Sequence, residues 1–556
     1  MLGSCAQPPR PSYEDCFAPL AMTNTHHPPP SYSLVFSPPV FPSLPAVSWR
    51  DFFLYHDNQP LLFTQALFWI LFAGVLLVYP LIYKHIKARN LFLMAFSWFF
   101  YYKTGGWFLF LLLFTAVFDF TAAQLVYRST NTARRKALIA ASMAINLGVL
   151  AYFKYTFFFV DVVNFFSGGQ YHAQNWLAAL ANRSLGTEFD VLTIILPVGV
   201  SFYTFQSMSY TIDVYRGDLK PVTNFLDFAF FVSFFPQLVA GPIVRASEFV
   251  PQIYQPYSLS SAEYGRAVFL IVNGLAKKIL ISDYIAGNFV DRVFASPLQF
   301  TGFENLMAVY GYAIQIYCDF SGYTDIAIGV ALLLGFRLAL NFDSPYQSTS
   351  ITEFWRRWHI SLSSWLRDYL YIPLGGNRRG KARAYLNQFL TMLLGGLWHG
   401  ASVRFIIWGA LHGGALAVHK IASSRKLQVA SHEQKGLAAN SLQLVASWFL
   451  TFHFVCFCWI FFRADSVATA TAVVHRICTA FQPELIPAML PAYARVFGLM
   501  ALAYYLHFIP RPVKEGVRGW FGRVPDVGKA LLIVAVVVLL FQVKNAQMQP
   551  FIYFQF

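Results

Sequence analysis

Three histidines in one apolar stretch are the first residues whose type and spacing suggest chemistry. His399, His412 and His419 lie within residues 384–421, and His399 stands between a tryptophan and a glycine in the sequence GGLWHGAS. Ionisable side chains inside a membrane usually face a cavity or a pathway. A neutral imidazole there can accept the proton of an alcohol that attacks a carbonyl carbon. From the pattern alone, a buried packing role explains His399 as well as a catalytic role does.

The spacing of these histidines limits the chemistry. On one straight helix, His399 and His412 would point about 220° apart and lie some 20 Å apart along the axis, so we expect no local pair. The chain contains no G-x-S-x-G nucleophile elbow, and none of these histidines stands in an H-E-x-x-H zinc pattern. These observations favour direct acyl transfer with a single base over a serine acyl-enzyme, and they indicate no metal site.

A second candidate segment, residues 353–373, reads EFWRRWHISLSSWLRDYLYIP. As a helix it places Arg356, His359, Ser363 and Arg367 on one face, because they recur at i, i+3, i+7 and i+11. An aromatic face lies beside this polar one, which is typical of an amphipathic helix at the membrane interface or at the rim of a polar cavity. We expect His359 on the polar face, where it either takes part in proton transfer or only forms a hydrogen bond.

Shorter polar islands also interrupt the apolar sequence, at residues 235–249, 317–325 and 341–346. Asp319 and Asp325 do not share a helical face, so loop formation and helix capping are the simpler expectation, with the lining of a cavity as the alternative. Gly241 and Pro242 should end a helix and turn the chain.

The composition indicates which elements must position these residues. Of 556 residues, 57% are hydrophobic and only 12% are charged, whereas a soluble domain has about 25% charged residues. This favours a polytopic membrane protein.

The net charge is +15, and basic clusters such as KHIKAR (84–89) and TARRKA (132–137) lie between apolar runs, which indicates cytoplasmic loops and contact with anionic lipids rather than nucleic acid. The six cysteines suggest neither a disulfide framework nor a zinc site.

Apolar runs of about 20 residues predict the membrane helices. The clear runs are 61–83, 107–127, 137–160, 191–212, 303–318, 384–421, 442–462, 492–509 and 529–543. Shorter or ambiguous runs are 91–102, 225–240, 264–282 and 322–336. We expect roughly ten to twelve spanning helices, with some re-entrant pieces. No internal repeat is visible, which disfavours a transporter built from two related halves.

Residues 1–48 differ from the rest of the chain. They hold eleven of the 29 prolines and contain no apolar run of signal-peptide or membrane length. We expect a disordered extension there and a single membrane domain over residues 49–556.

Several long segments, in order, resemble the membrane-bound O-acyltransferase (MBOAT) family, in particular its bacterial alginate O-acetyltransferase branch. They read FPQLVAGPIVRASEFVPQ, DFSGYTDIAIGVALLLGFRLALNFDSPY, EFWRRWHISLSSWLRDYLYIPLGGNRRG, GGLWHGAS, FFRAD and, at the end of the chain, PFIYFQF. The resemblance covers about residues 50–556. It implies an all-α polytopic membrane fold whose tilted helices form a ring around a central tunnel.

The resemblance also implies which residues form the active site. His399 matches the histidine of the family's WHG motif, which is its catalytic residue, and His359 matches a second polar histidine. We expect Arg356, Arg357, Arg367 and Trp398 to contact the substrate or the donor, and we expect no metal.

The function implied is that of a membrane O-acyltransferase in the bacterial cytoplasmic membrane. An acetyl group from a cytoplasmic thioester such as acetyl-CoA, with no bound cofactor, would reach an exported polysaccharide, alginate-like or of another kind. Transfer would be direct or through an extracytoplasmic, esterase-like partner of the SGNH type. The alternatives are D-alanyl or other acyl transfer to a cell-envelope polymer, a transporter of a small acyl compound, and a non-catalytic scaffold.

Overall fold

The structure is a computed structural model that describes residues 52–56, 60–429 and 437–543. The proline-rich residues 1–48 and the terminal PFIYFQF lie outside the described residues, so the predictions for them stay predictions. The described residues from 54 onward form one compact unit, which is helical and contains no β-strand.

The α-helices of the described residues are α1 Ala66–Ile82, α2 Ile86–Gly105, α3 Leu109–Arg128, α4 Thr132–Leu150, α5 Thr156–Ser167, α6 Trp176–Leu185, α7 Val200–Arg216, α8 Phe225–Ser233, α9 Phe235–Leu238, α10 Ala246–Ile253, α11 Ser261–Leu275, α12 Asp291–Ala295, α13 Gly302–Leu333, α14 Ile351–Arg357, α15 Ile360–Leu366, α16 Lys381–His399, α17 Val403–Val429, α18 Leu437–Arg463, α19 Val467–Thr479, α20 Ile486–Ala492, α21 Ala494–Phe508, α22 Arg511–Gly522 and α23 Asp526–Val543. Short π-helical segments lie at Ala151–Tyr155, Ala276–Asp283, Ala286–Val290 and Arg367–Tyr371. Single 3₁₀ turns lie at Gly106–Phe108, Pro297–Gln299, Pro345–Gln347 and Pro483–Leu485.

Several helical units are long and apolar enough to cross a membrane, which makes the chain a multi-pass membrane protein. Among the described residues there are five, or six if the bent pair α20 and α21 forms one span: Ile86–Arg128, Thr132–Ser167, Gly302–Leu333, Val403–Ala422 and Ser441–Arg463. The sequence prediction of ten to twelve spans is higher. One reason is that the runs 61–83 and 191–212 give helices of only 17 residues, short of the roughly 20 that a bilayer requires.

Three expectations about helix continuity are wrong. The apolar stretch 384–421 forms the hairpin of α16 and α17 rather than one helix, and the segment 353–373 is interrupted after α14. Conversely, the polar island 317–325 forms no loop but lies inside α13, which is 32 residues long. The predicted break at Gly241-Pro242 is confirmed, since it falls in the non-helical connection between α9 and α10.

Helix α13 lies in the interior of the molecule and packs closely against α11. A Cβ atom on Gly322 would lie 2.8 Å from the carbonyl oxygen of Gly274, and one on Gly329 would lie 2.6 Å from that of Ala267. The small residues therefore let the two backbones approach each other, as is common between membrane helices. This packing places the polar side chains of the two helices within reach of each other.

Candidate active site

Glycines determine how the α16–α17 hairpin presents its histidines. A Cβ on Gly409 would lie 2.5 Å from the carbonyl oxygen of Met392, and one on Gly413 would lie 3.0 Å from the Cα of Phe389. Larger residues at these positions would push the helices apart. The two helices consequently run side by side, and the end of one faces the start of the other.

His399 is the last residue of α16. The next residue, Gly400, is extended (φ −163°, ψ 148°), and a Cβ atom on it would overlap the ring of Phe405. The glycine therefore permits the chain to leave the helix and turn into α17. The sequence GGLWHGAS thus encodes a tight hairpin with a histidine at its turn.

The imidazole of His399 is enclosed by aromatic rings. The residue is 4% exposed, and its ring centroid lies 4.9 Å from that of Trp398, 5.1 Å from Trp408 and 5.3 Å from Phe462. Trp408 also contacts His412, at 4.7 Å between centroids. The expected separation of His399 and His412 along one straight helix is therefore wrong, because in the hairpin the ring of Trp408 contacts both imidazoles.

His359 is held by a polar contact to the loop before α14. It is fully buried, and its Nδ1 lies 3.1 Å from Oδ1 of Asn341. That oxygen also accepts hydrogen bonds from the backbone N–H and the hydroxyl of Ser361, at 3.2 and 3.0 Å. A backbone N–H can only donate, which identifies the Asn341 atom as the amide oxygen. His359 Nδ1 therefore carries the hydrogen, and Nε2 has the lone pair of a base.

The backbone at His359 is strained. Its φ is +43°, in the left-handed region, which costs about 1–3 kcal/mol for a residue other than glycine. The N–H of Ile360 donates to the carbonyl of Asn341 at 2.9 Å instead of continuing a helix. Strain of this kind is concentrated at functional sites.

The two histidines belong to one buried region. Phe202 lies between the two parts of the region, with its ring centroid 6.5 Å from that of His359 and 5.7 Å from that of Trp398. The region thus offers two imidazoles, lined by aromatic side chains, as groups able to carry a proton.

Comparison with known proteins identifies the family. The model of the membrane-bound O-acyltransferase family matches residues 219–459. The probable alginate O-acetylase of Pseudomonas putida is 37% identical over 496 residues, 84% of this chain and 95% of that protein. The chain belongs to the membrane-bound O-acyltransferase family. It is therefore an acyltransferase.

Other relatives of this MBOAT chain have different acceptors in their names. The peptidoglycan O-acetyltransferase of Helicobacter pylori is 36% identical over 446 residues, 74% of this chain and 79% of that protein. A teichoic acid D-alanyltransferase of Bacillus subtilis is 29% identical over 273 residues, 47% of this chain and 67% of that protein.

The predicted arginines of this MBOAT protein are much less buried than its histidines. Arg356 is exposed, and Arg357 pairs with Glu353 at 2.8 Å. Arg367 is 63% exposed and pairs with the adjacent Asp368 at 2.6 Å. The predicted polar face of Arg356, His359, Ser363 and Arg367 is wrong, because the break at His359 turns the histidine inward. Trp398, in contrast, is buried next to His399.

Sequence reasoning missed two residues that contact the site. Asn341 lies in the polar island 341–346, and Lys154 stands within the apolar run 137–160. A lone lysine in such a run was a usable signal, since charged residues inside membranes are rare and usually functional. Among the described residues, no group of three or more His, Cys, Asp or Glu side chains is arranged to hold a metal ion.

Proposed function

We propose that this MBOAT protein transfers an acetyl group from a cytoplasmic thioester to a hydroxyl group of an exported cell-envelope polysaccharide. The observation that carries the proposal is the buried His399 at the turn of the α16–α17 hairpin, with His359 in the same aromatic-lined region. The names of the relatives, an alginate O-acetylase and a peptidoglycan O-acetyltransferase, support acetyl transfer to a polysaccharide.

His399 acts as the general base. Its ring accepts the proton of the acceptor hydroxyl while the oxygen attacks the thioester carbonyl. A C–O bond forms, the C–S bond breaks, and the proton passes from the imidazolium to the leaving thiolate. One base suffices for this sequence, and no bound cofactor is required. His359 orients the reacting groups or carries the proton further.

The donor approaches from the side of the basic loops. Arg135, in the cluster TARRKA, donates to the carbonyl of Tyr215 at 2.6 Å, and Arg216 donates to that of Asp368 at 3.2 Å. Arg367 therefore lies on the same side as residues 132–137, which the distribution of Lys and Arg assigns to the cytoplasm. Exposed arginines there attract the phosphates of an acyl carrier.

In this proposal Arg356, Arg357 and Arg367 bind the donor, and Trp398 lines the path of its acyl group. The polysaccharide receives the acetyl group on the outer side of the bacterial cytoplasmic membrane, directly or through an extracytoplasmic SGNH-type partner. Residues 49–556 form the catalytic domain in a ring around a tunnel, and residues 1–48 are dispensable.

D-alanyl transfer to a cell-envelope polymer is the second candidate, which the Bacillus subtilis relative favours. The two are separated by supplying purified protein in liposomes with radiolabelled acetyl-CoA or with a D-alanyl carrier protein, together with a polysaccharide acceptor. Label in the polysaccharide from acetyl-CoA supports the proposal. Label from the D-alanyl carrier alone, or accumulation of free donor inside the vesicles without any ester, contradicts it and favours the alternative acyl group or a transporter.

A further inference from the structure

A π-helical turn outside the hairpin contacts the end of the helix that carries His399. Residues Ala151–Tyr155 form this turn between α4 and α5, and such turns inside α-helices are frequent at functional sites. Lys154 Nζ donates to the carbonyl oxygens of Trp398 and His399, at 2.8 and 2.9 Å. The hydroxyl of Tyr155 donates to the carbonyl of Leu397 at 2.7 Å.

These contacts satisfy three successive carbonyls at the end of α16. The last four carbonyl groups of an α-helix have no partner within the helix, and they form the negative end of its dipole. Leaving such groups unpaired in a membrane is energetically costly, because the bilayer core offers no water as a partner. Lys154 forms no ion pair with any carboxylate in the part of the chain that the structure describes, so its charge is directed at the helix end. Its ammonium also lies 5.9 Å from the centroid of the Trp398 ring.

His399 needs this support because of its place in the chain. It is the final residue of α16, and the extended Gly400 that follows provides no further helical turn to hold its peptide group. The side chains that fix the carbonyls of Leu397, Trp398 and His399 consequently also fix the direction in which the imidazole points.

We propose that Lys154 and Tyr155 are positioning residues for His399, an inference that rests on the proposed function. Lys154 contributes most, because it binds two carbonyls with a charged donor, one of them that of His399 itself. Loss of its contacts lets the imidazole move away from the reacting hydroxyl, and a displacement of about 1 Å can cost about 10²-fold in rate.

The same π-helical turn provides a matched control. The hydroxyl of Tyr152 lies 2.7 Å from Oδ1 of Asn175, in a contact that does not involve α16. Tyr152→Phe and Tyr155→Phe therefore each remove one hydroxyl from the same turn, and only the second removes a bond to the helix of His399.

The test measures kcat and the donor KM of purified Lys154→Met, Lys154→Arg, Tyr155→Phe and Tyr152→Phe proteins, together with their melting temperatures. We expect Lys154→Met to lose about 10- to 100-fold in kcat with little change in KM. Lys154→Arg should recover most of that loss, since it keeps a charged donor. Tyr155→Phe should lose less, and Tyr152→Phe should match the wild type.

Wild-type kcat in Lys154→Met would overturn the inference. So would a loss in Lys154→Met that tracks a lower melting temperature and is equalled by Tyr152→Phe, because that result would mean that the turn only stabilises the fold. Absence of transfer by the wild-type protein itself would instead contradict the proposed function, so the two failures are distinguishable.

Discussion

Two of the regions in which the described residues bury polar side chains compensate the loss of hydration in different ways. In the first, at the contact of α11 and the following π-helical segment with α13, every charge lies next to an opposite one. Lys278 lies 2.8 Å from Asp283 and 2.5 Å from Asp319, and Lys277 lies 2.7 Å from Asp325. In the second, around His399, the titratable groups are imidazoles packed against aromatic rings, together with Lys154, whose ammonium contacts backbone carbonyls rather than a carboxylate.

The difference indicates what each region is for. A charge removed from water is tolerated when a partner compensates it, and breaking such a pair leaves an expensive unpaired charge. Paired lysines and aspartates therefore hold helices together and are poorly suited to exchanging protons. An imidazole can lie neutral in an apolar surrounding and still accept a proton from a substrate. We assign stability to the ion-pair region and chemistry to the histidine region.

The assignment of the chemistry to the histidine region requires that His399 be essential. His399→Ala should lower acyl transfer by about 10²- to 10⁴-fold, the usual contribution of a positioned base. Expression, membrane insertion and melting temperature should stay near those of the wild type. The assay is transfer of labelled acetyl groups by purified protein, with His475→Ala as the control, since His475 is exposed on α19. Acylation by His399→Ala at the wild-type rate would refute the catalytic assignment.

A substitution in the ion-pair region should lower the stability of the protein and leave its turnover unchanged. Lys278→Met leaves Asp283 and Asp319 without their shared cation and should reduce the free energy of unfolding by about 3–5 kcal/mol. The kcat of the protein that remains folded should be unchanged. Melting in detergent measures the first quantity, and turnover per folded molecule measures the second.

The control for Lys278→Met is an ion pair near the surface. Arg337 is 51% exposed and lies 2.8 Å from Glu263, so Arg337→Met should cost only about 0–1 kcal/mol. If Lys278→Met melted like the wild type but lost turnover, the ion-pair region would belong to the catalytic machinery and the division proposed above would be wrong.

His359 tests whether the histidine region uses one base or two. His359→Gln keeps a hydrogen-bond donor toward Asn341 but removes proton exchange. We expect it to lower the single-turnover rate at saturating donor by about tenfold, less than His399→Gln, because a single base suffices for direct transfer. Equal losses in the two variants would instead favour a mechanism in which both imidazoles handle the proton.

The sequence predicts the membrane class of the fold well, but of its helix breaks it predicts the one at Gly241-Pro242 and not the one at His359. Apolar runs locate most helices because their length and composition are local properties. The break at His359 depends on Asn341, which is 18 residues away, and nothing within the segment 353–373 encodes it. The polar island with Asp325 resembles a loop until its partner Lys277, 48 residues earlier, is placed beside it.

The same limit applies to the site. His399 stands out because a titratable ring in an apolar run is rare, and the family resemblance gives it a role. Lys154 is 245 residues from His399 in the chain, so only the tertiary structure brings its ammonium to the carbonyls of the hairpin. Helical periodicity groups the arginines with His359, and this prediction fails because the backbone leaves the helix at His359.

Substitutions of Arg356 and Arg357, near the surface, should have the smallest effect. Arg356 is exposed, whereas Glu353 neutralises Arg357 through a pair at 2.8 Å. A unit charge near a phosphate in water is worth about 1 kcal/mol, so Arg356→Ala should raise the donor KM about fivefold and leave kcat unchanged. Arg357→Ala should change KM less, because its charge is already compensated.

Salt distinguishes this role from a structural one. Exposed charges are screened over about 10 Å at 0.1 M ionic strength, so the KM of the wild type should rise with salt and approach that of Arg356→Ala. The measurement is the donor KM of both proteins at low and high ionic strength. A KM difference that persists unchanged at high salt would show that Arg356 does not act by attracting the donor, and donor binding would then have to be sought nearer to the buried histidines.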